Sequence, residues 1–161
     1  MFVDPSWQGG GRWDNPGTYT LMYLSEAADG AVGETFQGFQ RWTVDMFLHP
    51  ASGHRRHLIT YELPAAERVV DLDNAQVLIE RSIRPSQVAS KNTFVTQGIA
   101  RALYDDLHAS TSGIRWWSSL ASEWGAYALW DWQRLETRAV SPLEVDNPAV
   151  MAAATRLGRL I

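Results

Sequence analysis

An arginine near the start of the chain and a glutamate that follows it are the residues whose types point most directly to chemistry. Arg12 lies in a glycine-rich segment, GGGRWDNPG, and Glu34 ends a run of mostly small residues, ADGAVGE. The planar guanidinium of arginine binds phosphate or carboxylate through two parallel hydrogen bonds, and glycines let backbone amides approach an anion. A carboxylate among small apolar residues can stabilise a cationic sugar transition state or bind ribose hydroxyls.

The surroundings of these two residues leave plainer interpretations open. The glycine segment precedes a predicted strand, whereas a dinucleotide-binding glycine motif stands between a strand and a helix, and the chain has no GxxxxGK[ST] sequence. A surface turn with an exposed arginine fits the segment equally well. Most glutamates are solvated surface residues, and Glu34 fits that description too. The residues alone do not decide between a site and a surface loop.

Ser118 and Ser119 follow an aromatic stretch, GIRWW, that contains Trp116. A serine nucleophile needs a positioned base, and no GxSxG elbow is present. We therefore interpret Ser118 as a hydrogen-bonding group. The chain has no cysteine, which excludes thiol nucleophiles and disulfides. We expect no metal site, because the histidines lack the spacing of metal ligands: His49, His54, His57 and His108.

The composition is that of an ordinary soluble globular protein, with 45% hydrophobic and 20% charged residues. At 161 residues, the chain is long enough for one domain with its own core, and eight tryptophans predict an aromatic interior. A net charge of -4 argues against direct nucleic-acid binding through phosphate neutralisation. We find no apolar run of about 20 residues and no secretory signal, and we expect a cytoplasmic protein.

Hydrophobic periodicity and turn residues predict an α+β fold, because strands and helices do not alternate regularly. Ser25 is predicted to cap a helix that runs to about Gln40, and Asn147 to cap a C-terminal helix that opens at Pro148. Strands are predicted at residues 18–25, 42–48, 57–63, 68–72, 113–118 and 126–132. Further helices are predicted at residues 74–82, from 85 onward and at 94–108.

Taken in order, several segments resemble the RES domain family, named for its arginine, glutamate and serine. The segments are GGGRWDNPG, YLSEAADGAVGE, ITYELP, VVDLD, SKNTFVTQGIARALYDD, GIRWWSS and YALWDW. The resemblance covers nearly the whole chain, residues 1–161, which we expect to form a single RES domain with its first strand short or missing. It places the family's arginine on Arg12, its tyrosine on Tyr23, its glutamate on Glu34 and its serine on Ser118.

The resemblance implies an ADP-ribosyltransferase-like fold, with a twisted, split antiparallel or mixed β core flanked by helices. It implies a toxin that depletes cellular NAD by cleaving the nicotinamide–ribose bond, with phosphate or water as the acceptor. No cofactor is expected, because NAD is consumed as a substrate and inorganic phosphate would be a co-substrate. The implied partner is an Xre-type antitoxin protein that covers the active site, and the toxin would form a homodimer within the hetero-oligomer. No membrane association is expected.

The resemblance also assigns roles to residues. Glu34 would stabilise the positive charge that develops on the ribose, and Arg12 would bind the pyrophosphate. Tyr23 would stack on nicotinamide or bond to a phosphate oxygen, and Ser118 would orient the ribose or Glu34. Three neighbouring residues are expected to contact the substrate: Tyr19, Trp116 and Ser119.

Two alternatives remain open from the sequence. An ADP-ribosyltransferase that modifies a macromolecule would use the same arginine and glutamate, but it would need a surface for the acceptor. A catalytically silent RES-like module would act only as an interaction partner.

Overall fold

The computed structural model of the chain describes Ser6, residues 8–64 and residues 68–161. The expected short or missing first strand lies outside these described residues. Helices and strands follow one another in this order: β1 Met22–Ser25, α1 Ala28–Phe36, a 3₁₀ helix Val44–Phe47, β2 His57–Glu62, β3 Val69–Asp71, α2 Ala75–Glu80, α3 Pro85–Val88, α4 Thr93–Leu107, β4 Gly113–Trp117, β5 Gly125–Leu129, a 3₁₀ helix Trp132–Arg134, β6 Glu136–Pro142 and α5 Pro148–Leu157.

The chain divides into two compact units. The first comprises Met1–Leu24 and Leu63–Arg134, and the second comprises Ser25–Glu62 and Leu135–Ile161. The expectation that residues 1–161 act as a single domain stays a prediction. In the part of the chain that the structure describes, no helix is both long enough and apolar enough to cross a membrane.

The first unit is built on a mixed sheet with the strand order β1-β5-β4-β3. β3 runs parallel to β4, and β4 runs antiparallel to β5 with Ile114 opposite Ala128. Helix α4 contributes Ala100 and Leu103 to the same core as these strands. The buried core is aromatic as predicted, and its members include Trp13, Tyr19, Leu21, Leu72, Ile114, Trp116, Ala128 and Trp130.

The second unit contains α1, α5 and an antiparallel ribbon of β2 and β6. Helix α1 packs against α5. Val32 and Phe36 of α1 share a core with Val150 and Ala153 of α5. The split β core, one mixed sheet and one antiparallel ribbon with flanking helices, confirms the predicted α+β fold class.

Most predicted elements are confirmed. For three of the helices, side-chain caps explain where the helix begins. The side chains of Asn74, Asn92 and Asn147 each accept a hydrogen bond from a backbone N–H in the first turn of α2, α4 and α5. Such side chains satisfy amides that have no partner inside the helix. The prediction of Asn147 as the cap and Pro148 as the first helical residue was therefore correct.

The predicted boundaries of the first strand and helix were wrong. β1 begins at Met22, because residues 16–18 form a turn. The cap of α1 is Ala27, which makes no side-chain capping bond, and not Ser25. The helix ends at Phe36 instead of about Gln40. Carbonyls beyond its end accept from side chains, since the guanidinium of Arg159 donates to Gln37 O at 2.8 Å.

Two further elements differ from prediction. Residues 42–48 do not form a strand. Val44–Phe47 is a 3₁₀ helix that contributes Phe47 to the core, and Trp42, which precedes this helix, lies in the same core. β6 was not predicted, because its burial pattern is exposed at six of its seven positions. A strand without alternating apolar residues gives no periodic signal in the sequence. β6 forms because it pairs with β2.

Candidate functional site

The glycine-rich segment of the first unit is a tight loop folded around one buried carboxylate. Asp14 is 3% exposed. Its Oδ2 accepts hydrogen bonds from the backbone amides of Gly9 at 2.8 Å and Gly11 at 2.7 Å. Bonds from backbone amides to an ionised carboxylate are among the stronger hydrogen bonds in proteins. These bonds give the loop a defined shape, and Arg12 is half-buried, unlike the exposed arginine of the surface turn that the sequence left open.

Tyr23 of β1 closes the loop from the sheet side. Its hydroxyl donates to Oδ1 of Asp14 at 2.7 Å and accepts from the amide of Trp13 at 3.0 Å. Burial of this hydroxyl, together with its bond to Asp14, raises the pKa of Tyr23 well above its ordinary value. The residue is 41% exposed, so the ring offers surface while the hydroxyl is used inside the loop.

Gly11 lies where the two partners of the loop meet. A Cβ at this position would stand 2.5 Å from the Tyr23 hydroxyl and 2.7 Å from both carboxylate oxygens of Asp14. Those distances are far inside van der Waals contact, so no other residue fits without displacing the carboxylate or the phenol. Gly10 has nothing within 4 Å of the same position and bears no such constraint.

Helix α4 supports the loop from the other side. Gln97 donates from Nε2 to Gly11 O at 2.9 Å and to Gly9 O at 3.3 Å. The side chain of Asn15 donates to Gln97 O at 3.0 Å and to the Tyr19 hydroxyl at 2.7 Å. Asp14 thus accepts from the amides of Gly9 and Gly11, and Gln97 donates to their carbonyls. Backbone polar groups inside a protein need such partners.

Arg12 is the side chain that this loop presents. It is half-buried, its Nη2 donates to the carbonyl of Val88 at the end of α3, and its Cζ lies 5.4 Å from the ring centroid of Trp13. The distance is within the range of a cation–π contact. Arg12 is thereby restrained through both its backbone and its guanidinium.

The predicted residues of the later strands lie deeper in the first unit. Trp116 is 5% exposed, and its ring lies 5.2 Å from that of Trp13 and 6.2 Å from that of Tyr23. Trp116 therefore connects β4 to Trp13, which follows Arg12, and to Tyr23 of β1. Tyr19 is also buried, and its hydroxyl donates to Trp13 O at 3.0 Å. Both residues support the loop, and the expected substrate contacts of both stay predictions.

The two serines after β4 differ in burial. Ser118 is 2% exposed, its Oγ accepts from Leu120 N at 2.9 Å, and its amide donates to Trp124 O at 2.8 Å. Ser119 is exposed. Successive residues of an extended chain point to opposite sides, and the structure turns Ser118 inward. This geometry suits a positioning group better than a nucleophile.

Glu34 is the one predicted residue that belongs to the second unit. It lies on α1, is half-buried, and its Oε2 accepts from Nε2 of Gln37 at 3.2 Å. Within the first unit, the structure brings Arg12, Tyr19, Tyr23 and Trp116 together around Trp13. Glu34 belongs to helix α1 of the second unit. The catalytic roles of all these residues stay predictions.

Sequence reasoning missed Asp14 and Gln97. Asp14 follows Gly11 by three residues, and an aspartate that bonds to nearby backbone amides is a recognised turn signal, so it could have been found. Gln97 lies 86 residues from Gly11 in the chain and has no local signal. In the described part of the chain, no group of three or more His, Cys, Asp or Glu side chains could hold a metal ion.

We predict that Gly11→Ala lowers the free energy of unfolding by about 1–3 kcal/mol, because its methyl group would displace Asp14 or Tyr23. Gly10→Ala is the matched control and should change the free energy by less than about 0.5 kcal/mol. Urea unfolding, followed by tryptophan fluorescence, measures both. Equal stability of the two variants would show that Gly11 is not a close-approach position.

We predict that Tyr19 and Tyr23 stay protonated in the folded protein when ordinary tyrosines ionise. Burial raises the pKa of Tyr19 to about 12 from its usual 10.0, and the pKa of Tyr23 is also raised. The neutral phenols therefore stabilise the fold fully below pH 10, and this contribution is lost as the pH rises through the folded pKa. The absorbance of tyrosinate at 295 nm should be the same for the wild type and Tyr23→Phe at about pH 11. A smaller signal in the variant, with the fold intact, would contradict the raised pKa.

Comparisons with known proteins identify the family. Residues 2–148 match the family model described as RES domain, and no curated protein matches the chain. A chain in the crystal structure of the M. tuberculosis MbcT–MbcA toxin–antitoxin complex is similar in structure, with a TM-score of 0.58 and 18% sequence identity. The similar region covers 83% of this chain and 72% of that one, and at this identity it supports the fold. Because the family model covers most of the chain, the protein belongs to the RES domain family.

Proposed function

We propose that the protein is the toxin of a type II toxin–antitoxin system and that it depletes NAD by cleaving the nicotinamide–ribose bond. The observation that carries this proposal is the RES domain match, which spans Arg12, Tyr23, Glu34 and Ser118. The solved chain of similar fold comes from a toxin–antitoxin complex, which supports the toxin assignment.

Cleavage of this bond breaks the link between ribose C1 and the nicotinamide nitrogen, and the electron pair leaves with nicotinamide. Positive charge then builds on the ribose before an oxygen of phosphate or water bonds to C1. A carboxylate that faces this charge lowers the barrier, because it stabilises the transition state more than the substrate. We assign that role to Glu34. Inward-facing Ser118 would orient a ribose hydroxyl or the carboxylate.

Arg12 suits the binding of the substrate pyrophosphate. A guanidinium pairs with phosphate oxygens in a planar, two-point arrangement that an ammonium cannot reproduce. The loop around Asp14 fixes the backbone of Arg12, and Trp13 and Val88 restrain its side chain. Such preorganisation reduces the entropy lost when the phosphate binds. Lysine at this position would lose the planar, two-point geometry.

The proposal includes partners. An antitoxin protein of the Xre type would cover the active site and silence the toxin, and the toxin would form a homodimer within the hetero-oligomer. NAD would be a substrate, with inorganic phosphate as a co-substrate in the phosphorolytic version of the reaction. No metal or prosthetic group enters the proposed chemistry.

We predict that inducible expression in bacteria lowers the cellular NAD pool and stops growth, and that Arg12→Ala and Glu34→Ala each abolish both effects. Loss of one charged group that acts in the transition state lowers the rate by about 10²–10³-fold. At that rate, the cell's own NAD synthesis should restore the NAD pool. Matched controls are Arg156→Ala and Glu80→Ala, which remove exposed residues of the same types on α5 and α2.

The NAD pool is measured by enzymatic cycling in cell extracts, with soluble protein confirmed for every variant. A steady NAD pool with soluble wild-type protein would contradict the proposed activity. Full activity of Glu34→Ala would contradict the role of the Glu34 carboxylate but leave the proposed NAD-cleaving activity in place. Transfer of labelled ADP-ribose to a macromolecule would favour the transferase instead.

A further inference from the structure

The second unit contains an apolar cavity of about 200 Å³. An apolar cavity of about 150 Å³ is large enough for a benzene molecule, whereas pockets for drug-sized ligands begin at about 300 Å³. The size therefore suits one small apolar group, such as the side chain of leucine. Five apolar residues line the cavity, and the first of them is 60% exposed, so the cavity opens to solvent on that side: Val44, Phe47, Leu48, Leu143 and Val145.

The walls of this cavity come from three segments that backbone hydrogen bonds hold together. The amide of Arg56 donates to Phe47 O at 2.6 Å, and the amide of Leu143 donates to Arg56 O at 3.0 Å. Leu48 and Arg55 pair as an isolated antiparallel bridge. The cavity is thus formed before any ligand arrives, and a preformed site loses less conformational entropy when it binds.

Two opposite charges also line the cavity. The guanidinium of Arg55 forms an ion pair with the carboxylate of Glu144, and both residues belong to the cavity lining. Their side chains are 43% and 51% exposed. Ion pairs at such exposure contribute little to stability, so a ligand can separate the two groups at small cost. One cation and one anion therefore stand beside a single apolar cavity.

We propose that this cavity is a binding site for a free amino acid with an apolar side chain of about the size of leucine. The carboxylate of the amino acid pairs with the two-pronged guanidinium of Arg55, and its ammonium group pairs with Glu144. The side chain fills the apolar cavity. A fatty acid would separate the ion pair and leave Glu144 without a partner, and an alkyl amine would do the same to Arg55.

This inference is independent of the proposed function. The cavity lies within the second unit, and its lining residues differ from those assigned to NAD cleavage. Failure of the amino acid to bind would leave the proposed NAD-cleaving activity unaffected. Absence of NAD cleavage would likewise leave this site in place.

Titration of the purified, isotope-labelled full-length chain with leucine, followed by amide NMR spectra, measures both the affinity and the location of the site. We expect a Kd of about 1 mM or tighter, which is within reach of a ligand of this size. The shifted amide signals should belong to residues 44–48, 55 and 143–145. Absence of saturable binding, or shifts confined to other residues, would overturn the inference.

Three analogues of leucine test the chemistry of recognition on the wild-type chain. Glycine lacks the side chain and isocaproate lacks the ammonium group, so each should bind about 10-fold more weakly or worse. N-acetyl-leucinamide keeps the side chain without either charge and imitates a leucine within a partner protein. Binding of this analogue or of isocaproate as tightly as leucine would overturn the proposed amino-acid site.

Substitutions at the ion pair test the same site from the protein side. Arg55→Gln and Glu144→Gln should each weaken leucine binding about 10-fold, because each removes one charged partner. Arg138→Gln is the matched control, since Arg138 forms an exposed ion pair with Glu62 in the same unit and outside the cavity lining. Wild-type affinity in both cavity variants, or an equal loss in the control, would refute the assignment.

Discussion

The buried carboxylate of Asp14 is the constraint on which the geometry around Arg12 depends. One oxygen holds two glycine amides, and the other holds the Tyr23 hydroxyl. A buried carboxylate is costly unless it is fully hydrogen-bonded, and here the loop and the sheet supply the donors. Removal of Asp14 would leave those donors unsatisfied and would release the loop from β1. Gly11 is required for the same reason, because the space beside it is filled by this pair.

Several residues that the sequence analysis expected at the site make contacts within the first unit. The Tyr23 hydroxyl bonds inside the loop, Tyr19 and Trp116 lie in the core, and Ser118 is turned inward. These contacts suit residues that hold a neighbour in place, and the catalytic and substrate-binding roles expected of them stay predictions. The proposed charge chemistry then rests on the two ionised groups, Arg12 and Glu34. Arg12 is restrained by loop, ring and carbonyl, so its orientation is set before a substrate arrives.

Much of the fold followed from local signals in the sequence. The helices α2, α4 and α5 and the strands β3 to β5 were predicted because each carries its own helical or strand periodicity, and the Asn147 cap of α5 was predicted by residue type. The ribbon strand β6 and the end of α1 were missed, because pairing with β2 and side chains from distant segments determine them. The same division holds for the site. Arg12 could be singled out by residue type, whereas its support by Gln97 joins segments that no local pattern connects.

We propose that the Asp14-centred loop holds Arg12 in the orientation that NAD cleavage requires. Nicotinamide release from NAD by purified Asp14→Ala, followed by proton NMR alongside the wild type, tests this dependence. Circular dichroism must first show that the variant is folded. We expect nicotinamide release to fall by about 10²-fold or more, because the misplaced Arg12 no longer orients the substrate. Release at the wild-type rate by the folded variant would contradict it.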